Sequence, residues 1–196
     1  MFRMGITGGI GSGKTLVCSI LEKLGVSVYY ADASARRLMD TDSGLREGIL
    51  ALFGERAYGE DGLNREFVAD AVFGDSERLS RLNRLVHPVV REDFYKWETL
   101  QGGSPYVVEE AAILFESGAS ELMDLSVLIY APEELRIGRV IERDRVKREV
   151  VLKRMGHQIS EKEKMSMAGH IIYNDGSQML LPQVIELHNT TLKRIK

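Results

Sequence analysis

The residues with the clearest chemical potential lie near the amino terminus, where glycines surround side chains suited to phosphate. Residues 8–15 read GGIGSGKT and fit G-x-x-x-x-G-K-[ST], the pattern of a phosphate-binding P-loop. Glycines let the backbone turn so that successive N–H groups point into one concavity. Lys14 can reach the β- and γ-phosphates of a nucleotide, and Thr15 can offer its hydroxyl to Mg²⁺. The expected nucleotide-binding residues here are Gly9, Gly11, Ser12, Gly13, Lys14, Thr15 and Leu16.

The neighbours of this loop have the order that such a site requires. Residues 2–6 predict a short strand before the loop, and apolar residues spaced from Leu16 to Leu24 predict a helix after it. That helix would direct its positive N-terminal end at the same anion. The alternative is an ordinary glycine-rich turn between a strand and a helix, and the match of strand, loop and helix argues against it.

Further strands and helices alternate along the chain. Residues 26–30, 105–109, 125–130 and 170–173 predict strands, and the last segment predicts a helix. This alternation predicts an α/β fold of the P-loop NTPase type: a parallel five-stranded sheet with helices on both faces.

A long insertion interrupts this alternation. Residues from about 40 to 102 show helical patterns broken by a turn cluster at 58–62, and His87-Pro88 predicts a helix start with proline in the first turn. We expect a helical substrate lobe there, within one kinase domain covering residues 1–196.

Composition sets limits on partners and location. The chain has 196 residues, 44% of them hydrophobic, and a net charge of −3, which implies no general attraction to nucleic acid. Cys18 is the only cysteine, so a disulfide framework is excluded and a buried, inert thiol is expected. The single cysteine fits a reducing cytosol, and no signal peptide or membrane span is indicated, so we expect a cytoplasmic protein. We expect small-molecule partners, no nucleic acid or membrane, and a monomer or small homo-oligomer.

Asp32 is the carboxylate best placed for catalysis, since it follows the strand predicted to end at Tyr30. Ligands of open α/β sheets bind at the carboxyl ends of their strands, where Asp32 could accept the proton of an acceptor hydroxyl. The alternative is that Asp32 only caps the next helix.

A basic segment occupies residues 136–154, which contain eight basic and three acidic residues. One interpretation is a lid, covering about 136–160, whose guanidinium groups close on a triphosphate. The other is a solvated basic helix.

A P-loop supports NTP hydrolysis or phosphoryl transfer. The chain has no N-K-x-D stretch for reading guanine, and motor or transporter ATPases need larger assemblies than 196 residues allow. A small-molecule kinase combines one sheet, an acceptor lobe and a lid that excludes water. A kinase for a nucleotide or similar metabolite and a non-catalytic ATP-binding module remain alternatives.

An ordered set of motifs narrows the choice. They are TGGIGSGK at 7–14, Ala31-Asp32 with Ala35-Arg36, Asn83 with His87-Pro88 and Arg91, ILFE at 113–116, Arg139 with Arg143-Asp144, Arg154, Gln158, and Asn174 with Gly176. Together they resemble the dephospho-CoA kinase family over nearly the whole chain. The resemblance implies transfer of the ATP γ-phosphoryl group to the ribose 3′-hydroxyl of dephospho-CoA, with Mg²⁺.

The resemblance also implies roles for individual residues. Asp32 would be the catalytic base, and Asn174 would lie near the adenine of ATP. Independently of the resemblance, Lys14 is expected to be catalytic through its charge contact to the transferring phosphoryl group. Arg139 and Arg143 would be lid contacts to ATP. The acceptor-binding residues would be Asp32, Arg36, Asn83, His87 and Arg91. His87-Pro88 has a purely structural alternative, which is helix initiation.

One departure from the family pattern concerns metal binding. The family usually has a second carboxylate two residues before the catalytic aspartate, and this chain has Tyr30 there. A metal scheme that uses paired carboxylates at these two positions is therefore in doubt.

Overall fold

A computed structural model describes residues 1–156 and 158–195. Its helices and strands follow in the order β1 (Arg3–Thr7), α1 (Lys14–Lys23), β2 (Ser27–Tyr30), α2 (Ala31–Thr41), α3 (Ser43–Phe53), β3 (Tyr58–Gly59), β4 (Gly62–Leu63), α4 (Arg65–Val72), α5 (Ser76–Thr99), β5 (Val107–Glu110), β6 (Leu125–Tyr130), α6 (Glu133–Asp144), α7 (Arg148–Met155), α8 (Glu161–Met167), β7 (His170–Tyr173) and α9 (Leu180–Arg194). The chain forms two compact units, one of residues 1–30 with 101–196 and one of residues 31–100.

The larger unit contains the predicted sheet. Within the described residues it has five parallel strands in the order β2-β5-β1-β6-β7. The strand that carries the P-loop, β1, is central, with Ile6 opposite Glu110 of β5 and Val127 of β6. The α/β prediction with a parallel five-stranded sheet is confirmed, and the carboxyl ends of all five strands meet at one edge.

Alternation along β1 places the core on both faces of this sheet. Met4 and Ile6 are fully buried in a cluster that includes residues of α1 and α9. Gly5, between them, faces the other way, where an added Cβ would lie 2.6 Å from a Leu114 methyl and 2.9 Å from Met123 Cγ. Cys18 is buried in the cluster on α1, and burial raises the pKa of its thiol, so the prediction of an inert thiol stands.

The smaller unit is a helical module with its own core. Leu38, Leu45 and Ile49 pack with apolar residues of α4 and α5. The turn cluster at 58–62 forms a small antiparallel hairpin of β3 and β4 that the sequence did not predict.

Several local predictions were wrong. Pro88 lies inside α5 and does not start a helix, because α5 begins twelve residues earlier, at an N-cap formed by Asp75. The basic segment is two helices, since Arg145 adopts a left-handed φ of 53° between α6 and α7. Asp32 lies in the first turn of α2 and is not its N-cap, because the helix begins at Ala31.

Candidate active site

The P-loop joins β1 to α1, and two of its glycines adopt backbone conformations and close contacts that other residues would not allow. Gly11 has φ of 81°, and a Cβ there would lie 2.5 Å from the carbonyl oxygen of Arg136. Gly13 has φ of 99° and precedes α1, and the Asn174 amide nitrogen occupies the place that its Cβ would take. Glycine is therefore required at both positions by backbone conformation and by close approach.

Hydrogen bonds from distant segments hold the outer side of the loop. Gln158 Oε1 accepts from the backbone N–H of Ile10 at 3.1 Å, and Gln158 Nε2 donates to Ala112 O at 2.7 Å. Asn174 Nδ2 donates to Ser12 O at 2.8 Å.

The predicted contact residue Arg139 completes this support. Its Nη2 donates to Asn174 O at 3.0 Å, and its Nη1 approaches Gly11 O at 3.5 Å. The structure therefore brings Arg139 and Asn174 together with the loop.

Lys14 lies in the loop with its ammonium group already oriented. Lys14 Nζ donates to Gly8 O at 3.0 Å and lies 3.7 Å from Glu110 Oε1. Glu110 is buried at the carboxyl end of β5, the strand beside β1. Sequence reasoning ended this strand at Glu109 and missed Glu110, although its place at a strand end next to the P-loop strand was a usable signal.

The remaining loop residues differ in exposure. Gly9 packs against the Arg136 side chain. The hydroxyl of Ser12 is buried beside Gly8 and has no hydrogen-bond partner among the described residues. Thr15 and Leu16, in the first turn of α1, are exposed, which leaves the Thr15 hydroxyl accessible to a ligand.

Tyr30 ends β2 and lies opposite Glu110 in the pairing of β2 with β5. Burial, followed by nearby charged groups and a hydrogen bond with Glu22, raises the pKa of its phenol, so it carries no charge at neutral pH. Tyr30 cannot replace a carboxylate, but the adjacent strand supplies one at Glu110.

Arg136 is a second residue that sequence reasoning left unassigned beyond its basic charge. It is only 3% exposed, its Nε donates to Ala131 O at 3.0 Å, and its guanidinium lies against Gly9.

Arg143, a predicted lid contact, is exposed, and its Nε donates to Asp144 Oδ1 at 2.7 Å. The hydrogen bond and charge of Arg143, followed by those of Arg154, hold the pKa of the Asp144 carboxyl below its usual range.

The predicted acceptor residues lie on two helices of the smaller unit, α2 and α5, which pack together. Asp32 and Arg36 are exposed one turn apart on α2. Asn83, His87 and Arg91 recur every four residues on α5 and therefore share one face. Burial, and to a lesser extent the Arg91 charge, lowers the pKa of His87, which favours a neutral imidazole.

Among the described residues, no helix combines the length and the apolar composition that a membrane span requires.

Comparison with known proteins agrees with the geometry of the loop and sheet. The family model for CoaE, dephospho-CoA kinase, matches residues 2–179. A dephospho-CoA kinase of Salinibacter ruber is 46% identical over 180 residues, which is 90% of each chain.

Two solved structures extend the comparison to the fold. The crystal structure of TT1252 from Thermus thermophilus is 35% identical, with a TM-score of 0.86 over 97% of both chains. Dephospho-CoA kinase from Campylobacter jejuni is 26% identical, with a TM-score of 0.70 over 99% of this chain and 98% of that one. The chain belongs to the dephospho-CoA kinase family, whose enzymes transfer a phosphate from ATP to dephospho-CoA.

Proposed function

We propose that this chain transfers the γ-phosphoryl group of ATP to the ribose 3′-hydroxyl of dephospho-CoA, giving coenzyme A and ADP. The observation that carries the proposal is a P-loop with Lys14 in place and its outer side braced by Gln158, Asn174 and Arg139, in a chain that belongs to this family. Phosphoryl transfer is catalysed mainly by positioning and by stabilising charge, and a rigid loop serves both.

The loop is proposed to bind ATP through its backbone N–H groups, with the α1 N-terminus and Lys14 facing the phosphates. Lys14 Nζ would then give up its hydrogen bond to Gly8 O and donate to phosphate oxygens, which requires only a short movement of a flexible side chain. Arg139 and Asn174 would border the nucleotide from the adjoining strand ends, with Asn174 nearest the adenine. Arg143 would reach ATP only after releasing Asp144.

The donor set next to Lys14 suits Mg²⁺, which prefers oxygen ligands and is usually held by one or two protein oxygens together with nucleotide phosphates and water. The exposed Thr15 hydroxyl would bind the ion, and the Glu110 carboxylate would hold its water shell. When bound, Mg²⁺ neutralises charge on the β- and γ-phosphates. In this proposal Glu110 supplies the second carboxylate near the metal, which the family usually has at the position that Tyr30 occupies here.

Asp32 is proposed to accept the proton of the acceptor hydroxyl as that oxygen attacks the γ-phosphorus. It is exposed in the first turn of α2, and among the described residues its side chain makes no capping bond, which supports a role other than capping. Arg36, Asn83, His87 and Arg91 would bind dephospho-CoA. A half-buried, neutral His87 can accept as well as donate a hydrogen bond.

The decisive experiment for substrate identity is a coupled ADP-release assay with Mg²⁺-ATP and a panel of acceptors: dephospho-CoA, AMP and shikimate. We expect release with dephospho-CoA alone, with coenzyme A identified by mass spectrometry. Phosphorylation of a different acceptor in preference to dephospho-CoA would identify another kinase of this fold, and nucleotide binding without transfer to any acceptor would identify a non-catalytic module.

The role of Asp32 is tested by Asp32→Asn, which keeps the size of the side chain and removes the base. Loss of a general base lowers turnover by roughly 10²–10⁴-fold. Melting temperature and ATP affinity should change little. Asp70→Asn, which removes an exposed carboxylate from α4, is the matched control and should leave turnover unchanged. Wild-type turnover in a stable Asp32→Asn protein would assign the base to another group.

A further inference from the structure

Lys164 is fully buried, although it belongs to α8, a helix of seven residues otherwise rich in charged groups. Lysine is almost never fully buried unless its ammonium group is paired. Its Nζ lies 3.5 Å from Glu161 Oε1, one turn earlier on the same helix. Burial lowers the pKa of Lys164 and is the largest influence on it, while the Glu161 and Glu116 carboxylates act in the opposite direction. Placing an ammonium group in this buried position carries an energetic cost that a surface lysine would not have.

Glu161 connects this lysine to a second buried cation. The same carboxylate oxygen, Oε1, lies 3.8 Å from Arg136 Nη2. The other oxygen, Oε2, is buried and has no hydrogen-bond partner among the described residues. Both ion-pair distances are longer than good hydrogen bonds, and one acceptor is unsatisfied, so the cluster is a poor device for stability. Buried polar groups of this kind call for an explanation other than packing.

The cluster ends on the P-loop. A Cβ added to Gly9 would lie 2.8 Å from Arg136 Cζ and 2.7 Å from Glu161 Oε1, so both charged groups touch the loop backbone. Arg136 Nε is anchored to Ala131 O at the end of β6. A continuous series of contacts therefore runs from Lys164 through Glu161 and Arg136 to Gly9.

We propose that Lys164 is a positioning residue for nucleotide binding: through Glu161 it holds the Arg136 guanidinium against Gly9 and so fixes the glycine-rich turn of the P-loop. Lys164 and Arg136 provide two positive charges and Glu161 one negative charge, with Glu116 and Lys14 the other charged groups that act on Lys164. The cluster also adds positive charge behind a loop that must attract a polyphosphate. This inference rests on the proposed binding of ATP by the loop.

Removal of the lysine charge should therefore weaken nucleotide binding without changing the chemical step. Lys164→Met keeps an unbranched side chain of similar length and suits an apolar site. Residues that act on a binding site without touching the ligand change its affinity by about 3- to 30-fold. Because the cluster acts on the loop that binds ATP and does not touch the transferring phosphoryl group, KM for ATP should rise while kcat stays near wild type. Lys164→Arg, which restores the charge, should recover most of the affinity.

The test measures binding of a non-hydrolysable ATP analogue by calorimetry, steady-state kinetics and melting temperature. Lys162→Met, which removes an exposed lysine from the same helix, is the control and should behave as wild type. Glu161→Gln, whose side chain is partly exposed, should weaken binding in the same way and provides the test if Lys164→Met does not fold.

A folded Lys164→Met or Glu161→Gln protein with wild-type affinity for the analogue would overturn the inference and leave ATP binding by the loop intact. Lower stability of both variants with unchanged affinity would equally overturn it, because the cluster would then be structural only. Failure of the wild-type protein to bind the analogue would overturn the proposed function as well, so the two failures are distinguishable.

Discussion

Gly11→Ala tests whether α6 is a fixed part of the nucleotide site. Gly11 has φ of 81°, and an added Cβ would lie 2.5 Å from Arg136 O and 2.9 Å from Val140 Cγ2, both on α6. The carbonyl is backbone, so the clash is relieved only if α6 or the loop moves. Gly25→Ala is the matched control, because Gly25 has φ of 85° and, apart from its chain neighbours, no atom of the described residues lies within 4 Å of its added Cβ.

The two glycines share one cost and differ in another. A left-handed conformation costs an alanine about 1–2 kcal/mol at either position. Overpacking adds about 1–3 kcal/mol at Gly11 alone. The two variants should therefore differ by about 1–3 kcal/mol in the free energy of unfolding, or about 2–12 °C in melting temperature for a chain of this size.

Thermal unfolding and calorimetric binding of an ATP analogue measure both consequences. Gly25→Ala should bind the analogue like wild type, since it lies beyond the C-terminus of α1 and away from the loop. Gly11→Ala should bind it at least about tenfold more weakly, because displacement of α6 alters the loop that carries the N–H groups. Equal melting temperatures and equal affinities for the two variants would refute the close packing of α6 on the P-loop.

Three further predictions follow from the described contacts. Lys14→Ala should lower turnover by orders of magnitude in a steady-state assay, because the Lys14 charge acts on the transferring phosphoryl group. Lys23→Ala, which removes an exposed lysine, is the control, and near-normal turnover of Lys14→Ala would contradict the assigned role. Asp144→Asn should speed hydrogen exchange in α7, because Asp144 accepts from Arg154 Nη1 at 2.9 Å; unchanged exchange would argue against that tie. His87 should stay neutral at pH 7, and because its pKa is lower in the folded chain than in the unfolded one, the free energy of unfolding should fall as the pH falls below 6.5. An NMR titration of His87 with a midpoint at or above 6.5 would contradict the lowered pKa.

The parts of the site that could be predicted from the sequence are those encoded within a few residues. The P-loop depends on glycines and a lysine at fixed spacing, and the strands depend on short apolar runs. Asn174 and Arg139 came from the family resemblance, and the structure places both on the loop. Pro88 shows the limit of local signals, since proline favours a helix start but here lies exposed inside α5, beside Val86 and Val89, which pack in the core of the smaller unit.

The residues and roles that the sequence did not reveal are defined by contacts between distant segments. Gln158 belonged to the motif set of the family resemblance, but its bond to the N–H of Ile10, 148 positions away, could not be predicted from a local pattern. Arg136 and Lys164 look like ordinary surface cations in the sequence, and only the folded chain buries them. Glu110 was accessible to reasoning, because it follows an apolar run at the edge where strands of such sheets bind ligands.

The strengths of these contacts differ between the two helices of the basic segment. Arg136 is buried and Arg139 half-buried, and both are tied to backbone groups at or beside the P-loop, so their release would leave buried donors unsatisfied. The polar ties of α7 are exposed ion pairs, Arg148 with Glu134 and Arg154 with Asp144, and such pairs contribute about 0–1 kcal/mol each. Its apolar tie is stronger, because Val151 of α7 is fully buried in a cluster with Ile137 and Val140 of α6.

The left-handed residue Arg145 stands at the junction between these helices and stores about 1–2 kcal/mol of backbone strain. Its strain roughly offsets the two exposed pairs, so the buried side chain of Val151, worth about 1.5–3 kcal/mol, is what holds α7 to α6. Closure on ATP would therefore change the partners of exposed side chains and leave Arg136 and Arg139 in place. Arg143, at the end of α6, would then be the basic group whose partner changes on closure, because Asp144 holds it only at the surface.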